Sequence, residues 1–277
     1  MHYGVHVSSC GDYADARALA ELARQAEAAG WDGFFLWDHV AMSPPQPLVD
    51  PWVALAAIAT ATEHIRIGTM VTPLARRHPW QLARETVSLD HLSGGRLILG
   101  VGLGDSTREY EQFGQPAEPG VRAAMLDEAL TILTGLWSGE AFTYHGSHYQ
   151  VEGAQFTPAP LQKPRIPIWI AGFWPKRAPF RRAARYDGVF PGKMSGDMTP
   201  ADLRELLAFV REHRATDSNF EVAVMDATPG DKPEEAARIV APFAEAGATW
   251  WLEPIHGWRA PLEEMRARIL QGPPVAR

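Results

Sequence analysis

The feature that most narrows what this chain can fold into is a beat of short apolar runs alternating with amphipathic segments, kept across its 277 residues. "HYGVHVS" (2–8) reads as a strand. "DARALAELARQAEAAG" (15–30) follows, with Leu19, Leu22, Ala23 and Ala26 at helical spacing and Gly30 as its stop. "DGFFLWD" is apolar without alternation, the pattern of a strand covered on both faces. "PWVALAAIATATEH" is a helix opening on Pro51 in its first turn. "IRIGTMVT" is β-rich, "PWQLARETVSLDHLSGG" is a helix with a glycine stop, and "RLILGVGLG" is a buried strand running into glycines. After the helix "VRAAMLDEALTILTGLW", an interruption at 139–165 contains the alternating "FTYHGSHYQV", read as an exposed hairpin. The beat then resumes with strand "IPIWIAG", helix "APFRRAARY", strand "DGVFPG", helix "PADLRELLAFVREHR", strand "FEVAVMDA", helix "PEEAARIVAPFAEAG", strand "TWWLEPI" and helix "PLEEMRARIL".

The count is eight strands and eight helices at roughly 35 residues per unit, which predicts one (β/α)8 TIM barrel domain over 1–277 with a short hairpin insertion before strand five. The alternative is an open doubly wound sheet, but no glycine-rich turn follows the first strand and no second domain stands out. A net charge of -7 without a dense basic patch argues against nucleic acid as the main partner. The single cysteine, Cys10, excludes an internal disulfide framework and a multi-cysteine metal cage, and suits a reducing cytoplasm. The N-terminus lacks the pattern of a signal peptide, and the longest apolar run, "PWVALAAIATAT", is too short to span a bilayer. The expectation is a cytoplasmic protein with no membrane partner.

A barrel gathers its chemistry where strands finish. Read off the strand ends, the rim carries Ser8 to Cys10, Asp38 and His39, Met70 to Thr72, Gly102 to Asp105, Gly172 to Trp174, Gly192 and Lys193, Asp226, Glu253 and His256. Asp38-His39, closing "GWDGFFLWDH", is the leading pair. Its bland alternative is a capping turn before "AMSPPQP". His145 and His148 in "HGSHY" lie on the hairpin with no acidic third ligand, so no metal site is expected. Lys193 reads first as a solvated lysine and second as a contact for an anionic group, and His256 as a second possible substrate contact.

Four segments together resemble the bacterial luciferase-like flavin and deazaflavin oxidoreductases: "AEAAGWDGFFLWDHV", "RIGTMVTPLARRHPWQLARETVSLDHLSGGRLILGVGLG", "FTYHGSHYQVEGAQFTPAPLQKPRIPIWIAG" and "RRAARYDGVFPG". They occur in the family's order and spacing over nearly the whole chain. The resemblance implies a (β/α)8 barrel enzyme acting on a small organic substrate, often as a homodimer. It implies either coenzyme F420, a deazaflavin that passes hydride, or reduced FMN delivered by a separate flavin reductase for monooxygenation. The "WDH" ending is more like the deazaflavin branch.

On that resemblance His39 is the proton donor to the reduced substrate atom, since imidazole titrates near neutrality, and Asp38 orients the ring or bonds the cofactor. Met70, Val71 and Thr72 sit where relatives carry a bulge against the cofactor ring, with Met70-Val71 the candidate for a non-proline cis peptide. Gly102 and Gly104 read as ring contacts, because small residues admit a flat ring, and Asp105 reads either as a contact to the substrate or ring edge or as a solvated loop acid. Ala171, Gly172, Phe173, Trp174 and Lys176 form the turn where a phosphate tail would meet a helix N-terminus. Relatives show two or three glycines in this turn; here Phe173 and Trp174 follow a single Gly172. The alternatives are an FMN-dependent monooxygenase on the same fold, and a barrel that binds flavin without turnover.

Overall fold

The computed structural model of the chain describes residues 1–216 and 218–274. Strands β1 (His2–Val7), β2 (Gly33–Leu36), β3 (Arg66–Pro73) and β4 (Leu97–Gly102) alternate with helices α1 (Ala16–Ala28), α2 (Pro51–Ala61) and α3 (Pro79–Leu92). A short helix α4 (Arg108–Glu111), the long α5 (Pro119–Trp137) and a hairpin of β5 (Phe142–His145) and β6 (Gln150–Ala154) follow. The second half runs β7 (Ile168–Trp174), α6 (Arg177–Ala183), β8 (Gly188–Lys193), α7 (Pro200–His213), β9 (Glu221–Met225), α8 (Pro233–Ala246), β10 (Trp250–Ile255) and α9 (Leu262–Leu270). Eight parallel strands close in the order β1-β10-β9-β8-β7-β4-β3-β2, while β5 and β6 pair only with each other. This is the (β/α)8 barrel with the hairpin before its fifth strand. The short α4, which the periodicity does not announce, is the addition.

Local chemistry starts the helices where the sequence places them. Asp15 accepts from the amides of Arg17 and Ala18 ahead of α1, and Asp50 does the same for Trp52 and Val53 ahead of α2, with Pro51 in the first turn. Thr199 and Asp202 form a reciprocal capping box at α7. Glu128 of α5 accepts from the amides of Ser147, His148 and Tyr149, pinning the hairpin to the barrel wall. No helix among the described residues is long and apolar enough to cross a membrane.

The barrel axis is filled by Phe35, Met70, Ile98, Trp169, Ala223, Trp250 and Leu252. Three large aromatic rings fit there because glycines stand opposite them. A side-chain carbon on Gly33 would lie 2.5 Å from Phe35, and one on Gly188 would lie 2.6 Å from Trp169. Gly68 is the tightest case, since its added carbon would sit 1.9 Å from the backbone oxygen of Ile98, which cannot swing aside. Gly68→Ala is therefore expected to cost about 1–3 kcal/mol or more through forced strand separation. Urea unfolding followed by circular dichroism checks this, and an unchanged midpoint would contradict it.

Candidate active site

The period-two pleat decides which strand-tip residues face the axis. On β7, Trp169 belongs to the axial core, so Ala171 and Phe173 fall on the axial side. Gly172 and Trp174 face the helices: a carbon on Gly172 would lie 2.3 Å from Pro179 of α6, and Trp174 packs on Phe180 and Phe209 at ring distances of 5.6 and 6.4 Å. This corrects the expectation for two residues. Trp174 is a core side chain, and Gly172 is small to let α6 approach. Lys176 is exposed at the N-cap position of α6 without a capping side-chain bond, and the third helical position is Pro179, so the helix start offers few free amides.

Strand β3 shifts register between Thr69 and Thr72, and the Met70–Val71 peptide within the shift is cis, as the resemblance implied. The irregularity turns both Met70 and Val71 toward the axial core. Thr72, expected at the cofactor, is instead fully buried, with its hydroxyl donating to Asp38 Oδ2 at 2.9 Å. Gly102 is likewise occupied, since a carbon there would meet Val71 at 2.9 Å. Gly104 takes a left-handed turn (φ 78°) against Pro73 and Tyr110, and Asp105 is exposed in the loop beyond.

Asp38 and His39 part company just after β2. The Asp38 carboxylate is buried among cations. Its Oδ1 accepts from Arg76 and Arg77 at 2.9 Å each, and its Oδ2 from Arg77 Nε at 3.0 Å and the Trp52 indole at 3.4 Å. Every lone-pair direction is spent on protein donors, which departs from the expectation that Asp38 would orient the His39 ring or bond the cofactor. Burial pulls the Arg77 guanidinium down, yet the charge and hydrogen bonds of Asp38, together with the charges of Asp50 and Glu85, leave Arg77 raised.

His39 turns the other way. Its Nδ1 stands 3.1 Å from Glu109 Oε2, a residue 70 positions distant on α4. Glu109 Oε1 accepts from the amides of Val40 and Ala41 at 2.7 and 3.1 Å, and Oε2 also accepts from Arg76 at 3.1 Å. Burial alone would raise this carboxyl, but the hydrogen bonds from His39 and the two amides, with the charge of Arg76, hold it at about 2. An ionised carboxylate only accepts, so His39 Nδ1 carries the hydrogen and Nε2 is left for other partners. Arg76 also donates to the Asp38 carbonyl at 2.7 Å, so one guanidinium ties both halves of the Asp-His pair together.

His6, at an axial position of β1, was not singled out by sequence reasoning. Its Nε2 lies 2.6 Å from the Met70 carbonyl, and the Trp37 indole donates to its Nδ1 at 3.3 Å. Indole only donates and a carbonyl only accepts, so the neutral ring carries its hydrogen on Nε2. Burial lowers its pKa to about 4, outweighing the Met70 carbonyl that favours protonation. The unfolded chain therefore takes up a proton at pH values where the folded chain refuses it. This histidine's contribution is complete above about 6.5 and is lost as pH falls toward 4, a change of roughly 3 kcal/mol. His6→Asn is expected to flatten the loss of unfolding free energy between those pH values, and a variant with the original slope would remove His6 as its source.

Around these groups the mouth is aromatic. Trp258 stacks on Trp37 at 5.3 Å and 19°, His256 lies 5.6 Å from Trp37, and Phe190 lies 5.7 Å from His6. The Arg259 amide donates to His256 Nδ1 at 3.1 Å, and burial followed by the Arg259 charge lowers that imidazole. Lys193 is not free, because its ammonium donates to Asp202 at 2.7 Å. Arg76, Arg77, Glu109, His6 and Trp37 were thus missed by sequence reasoning. The dibasic pair in "PLARRH", directly after a strand, was the available signal for two of them; Glu109 carried none.

A closed parallel barrel with imidazoles, a paired carboxylate and aromatic walls converging at its strand tips defines an enzyme of the TIM-barrel class. The family profile of the luciferase-like monooxygenases matches residues 1–271, and the chain belongs to that family. An F420-dependent glucose-6-phosphate dehydrogenase from Microbacterium testaceum is 34% identical over 236 residues, which cover 82% of this chain and 69% of the relative. The coenzyme F420-dependent tetrahydromethanopterin reductase of Methanopyrus kandleri superposes with a TM-score of 0.78 at 16% identity over 98% of this chain and 96% of its own. A monooxygenase from Streptomyces bottropensis does so with a TM-score of 0.79 at 18% identity over 97% and 96%. At such identities the solved structures bear on the fold alone; family membership makes the chain a luciferase-like oxidoreductase.

Proposed function

We propose that this chain binds coenzyme F420 at the barrel mouth and moves hydride between it and an organic substrate, with His39 as proton donor. The observation that carries the reading is the His39–Glu109 contact of 3.1 Å, which leaves Nε2 as the imidazole's free edge. The curated relative named F420-dependent supports the deazaflavin over FMN. The residues present fit a flat ring system: Met70 and Val71 turn inward at the β3 irregularity, and Phe190 and Trp37 supply further flat walls. Ala171 and Phe173 would extend that wall along β7, and Lys176, exposed at its end, would meet an acidic tail.

When bound, coenzyme F420 supplies reversible hydride transfer. His39 holds the proton that neutralises the substrate atom receiving charge, a step for which imidazole is suited near neutral pH. Glu109 receives the Nδ1 hydrogen bond and orients the ring. Arg76 adds its charge to the hydrogen bonds that keep Glu109 ionised and helps hold it in place. Asp38 acts through Arg76 and Arg77 as a positioning residue, and Trp37 with Trp258 limits water at the mouth.

Titration of the purified protein with F420 and with FMN, followed by cofactor fluorescence, tests the reading. The expected result is tighter binding of F420, with its visible band bleached or restored on turnover. Preferred FMN binding with oxygen consumption in the presence of a flavin reductase would establish the monooxygenase instead. Tight binding with no turnover over a broad substrate panel would mark a barrel that only binds flavin.

A further inference from the structure

We propose that the barrel mouth selects an uncharged, largely apolar substrate and discriminates against phosphorylated ones. The inference deepens the reading above and rests on it for the reaction, although the selectivity itself is a property of the side chains. Phe173 and Met225 hold the last axial positions of β7 and β9 and remain 50% and 40% exposed. Trp258, after β10, is 61% exposed while stacked on Trp37. The Met225 sulfur reaches inward to within 2.9 Å of His6 Nδ1, so this apolar surface is continuous with the interior. Side chains from four strand tips thus ring one axis, and the polar groups they surround are imidazoles. Few polar groups among apolar walls is the character of a small-molecule site rather than of a protein-docking face.

The cations beside the imidazoles are already committed, and Arg108, exposed on α4 and bonded only to the Ser43 hydroxyl, is the exception at the outer rim. Lys193 is paired with Asp202 at 2.7 Å, and Arg76 and Arg77 are both held by Asp38 at 2.9 Å. Arg259 donates to Glu253 and to the Pro254 carbonyl. Arg177 lies over Phe209 in the helix layer, and Lys176 stands beyond Trp174, outside the ring. A phosphate that reached the imidazoles would meet the ionised Glu109, and the arginines beside that carboxylate would have to leave Asp38 to compensate it.

The test uses 4-phenyl-2-butanone and glucose 6-phosphate as probes, titrated by intrinsic tryptophan fluorescence and calorimetry into the free protein and the F420-loaded protein. The ketone is expected to bind at least about tenfold more tightly than the sugar phosphate. Met225→Gln is expected to weaken the ketone by about five- to tenfold, with F420 affinity held within about twofold. Equal or tighter binding of glucose 6-phosphate would overturn the proposal, as would unchanged ketone affinity in Met225→Gln. If F420 fails to bind, the proposed function falls, while the ratio of the two probes on free protein still decides the selectivity.

Discussion

Asp38→Ala is expected to lower the unfolding free energy by about 3–5 kcal/mol, the cost of leaving buried cations without their counter-charge. The Asp38 side chain is 1% exposed, and the two arginine side chains it holds are 7% and 21% exposed. Arg76 would keep Glu109 at 3.1 Å, whereas Arg77 would retain only Asp50 and Glu85, both at 4.0 Å. Asp38→Asn keeps an acceptor for Thr72 and Trp52 but removes the charge, so its loss is expected to fall between wild type and alanine. Urea denaturation of the three proteins ranks them. A loss under about 1 kcal/mol for alanine would mean the arginines find full compensation elsewhere.

His39→Gln is the second large effect, this time on rate. Turnover is expected to fall by about a hundredfold or more, within the usual contribution of a positioned proton donor, while cofactor affinity stays nearly unchanged. Glutamine preserves a donor toward Glu109 but cannot deliver a proton, so binding and chemistry separate. Glu109→Gln is expected to lower turnover less, because the imidazole remains but loses the charge that orients it. Since Glu109 stays ionised down to about 2, the acid limb of a wild-type rate profile above pH 4 does not come from this carboxylate. Full activity in His39→Gln would remove the histidine from the mechanism.

The two effects differ because Asp38 and His39, neighbours in sequence, were sent to opposite environments. Their shared position at a strand tip was legible, and so was the β3 irregularity at Met70-Val71, through resemblance. The roles of the pair were not. Asp38 meets Arg76 and Arg77 across nearly forty positions, and His39 meets Glu109 from a helix of four residues that no hydrophobic period announces. The same holds on β7. "IAGFW" marks a strand end, but whether Gly172 or Phe173 faces the axis depends on the phase of the pleat against β4 and β8.

The sequence alone determined the alternation, the barrel it closes into, the hairpin that interrupts it and the set of residues that end its strands. These are local properties: apolar period, proline and glycine stops, and capping side chains act within a few residues of one another. Only the tertiary structure decided which strand-tip side chains look inward, which glycines are filled by neighbouring side chains, and which charges are spent on one another. Those outcomes come from closure. A shift in pleat phase or strand register sends a side chain to the opposite face, and an ion pair forms only where closure brings its two members together.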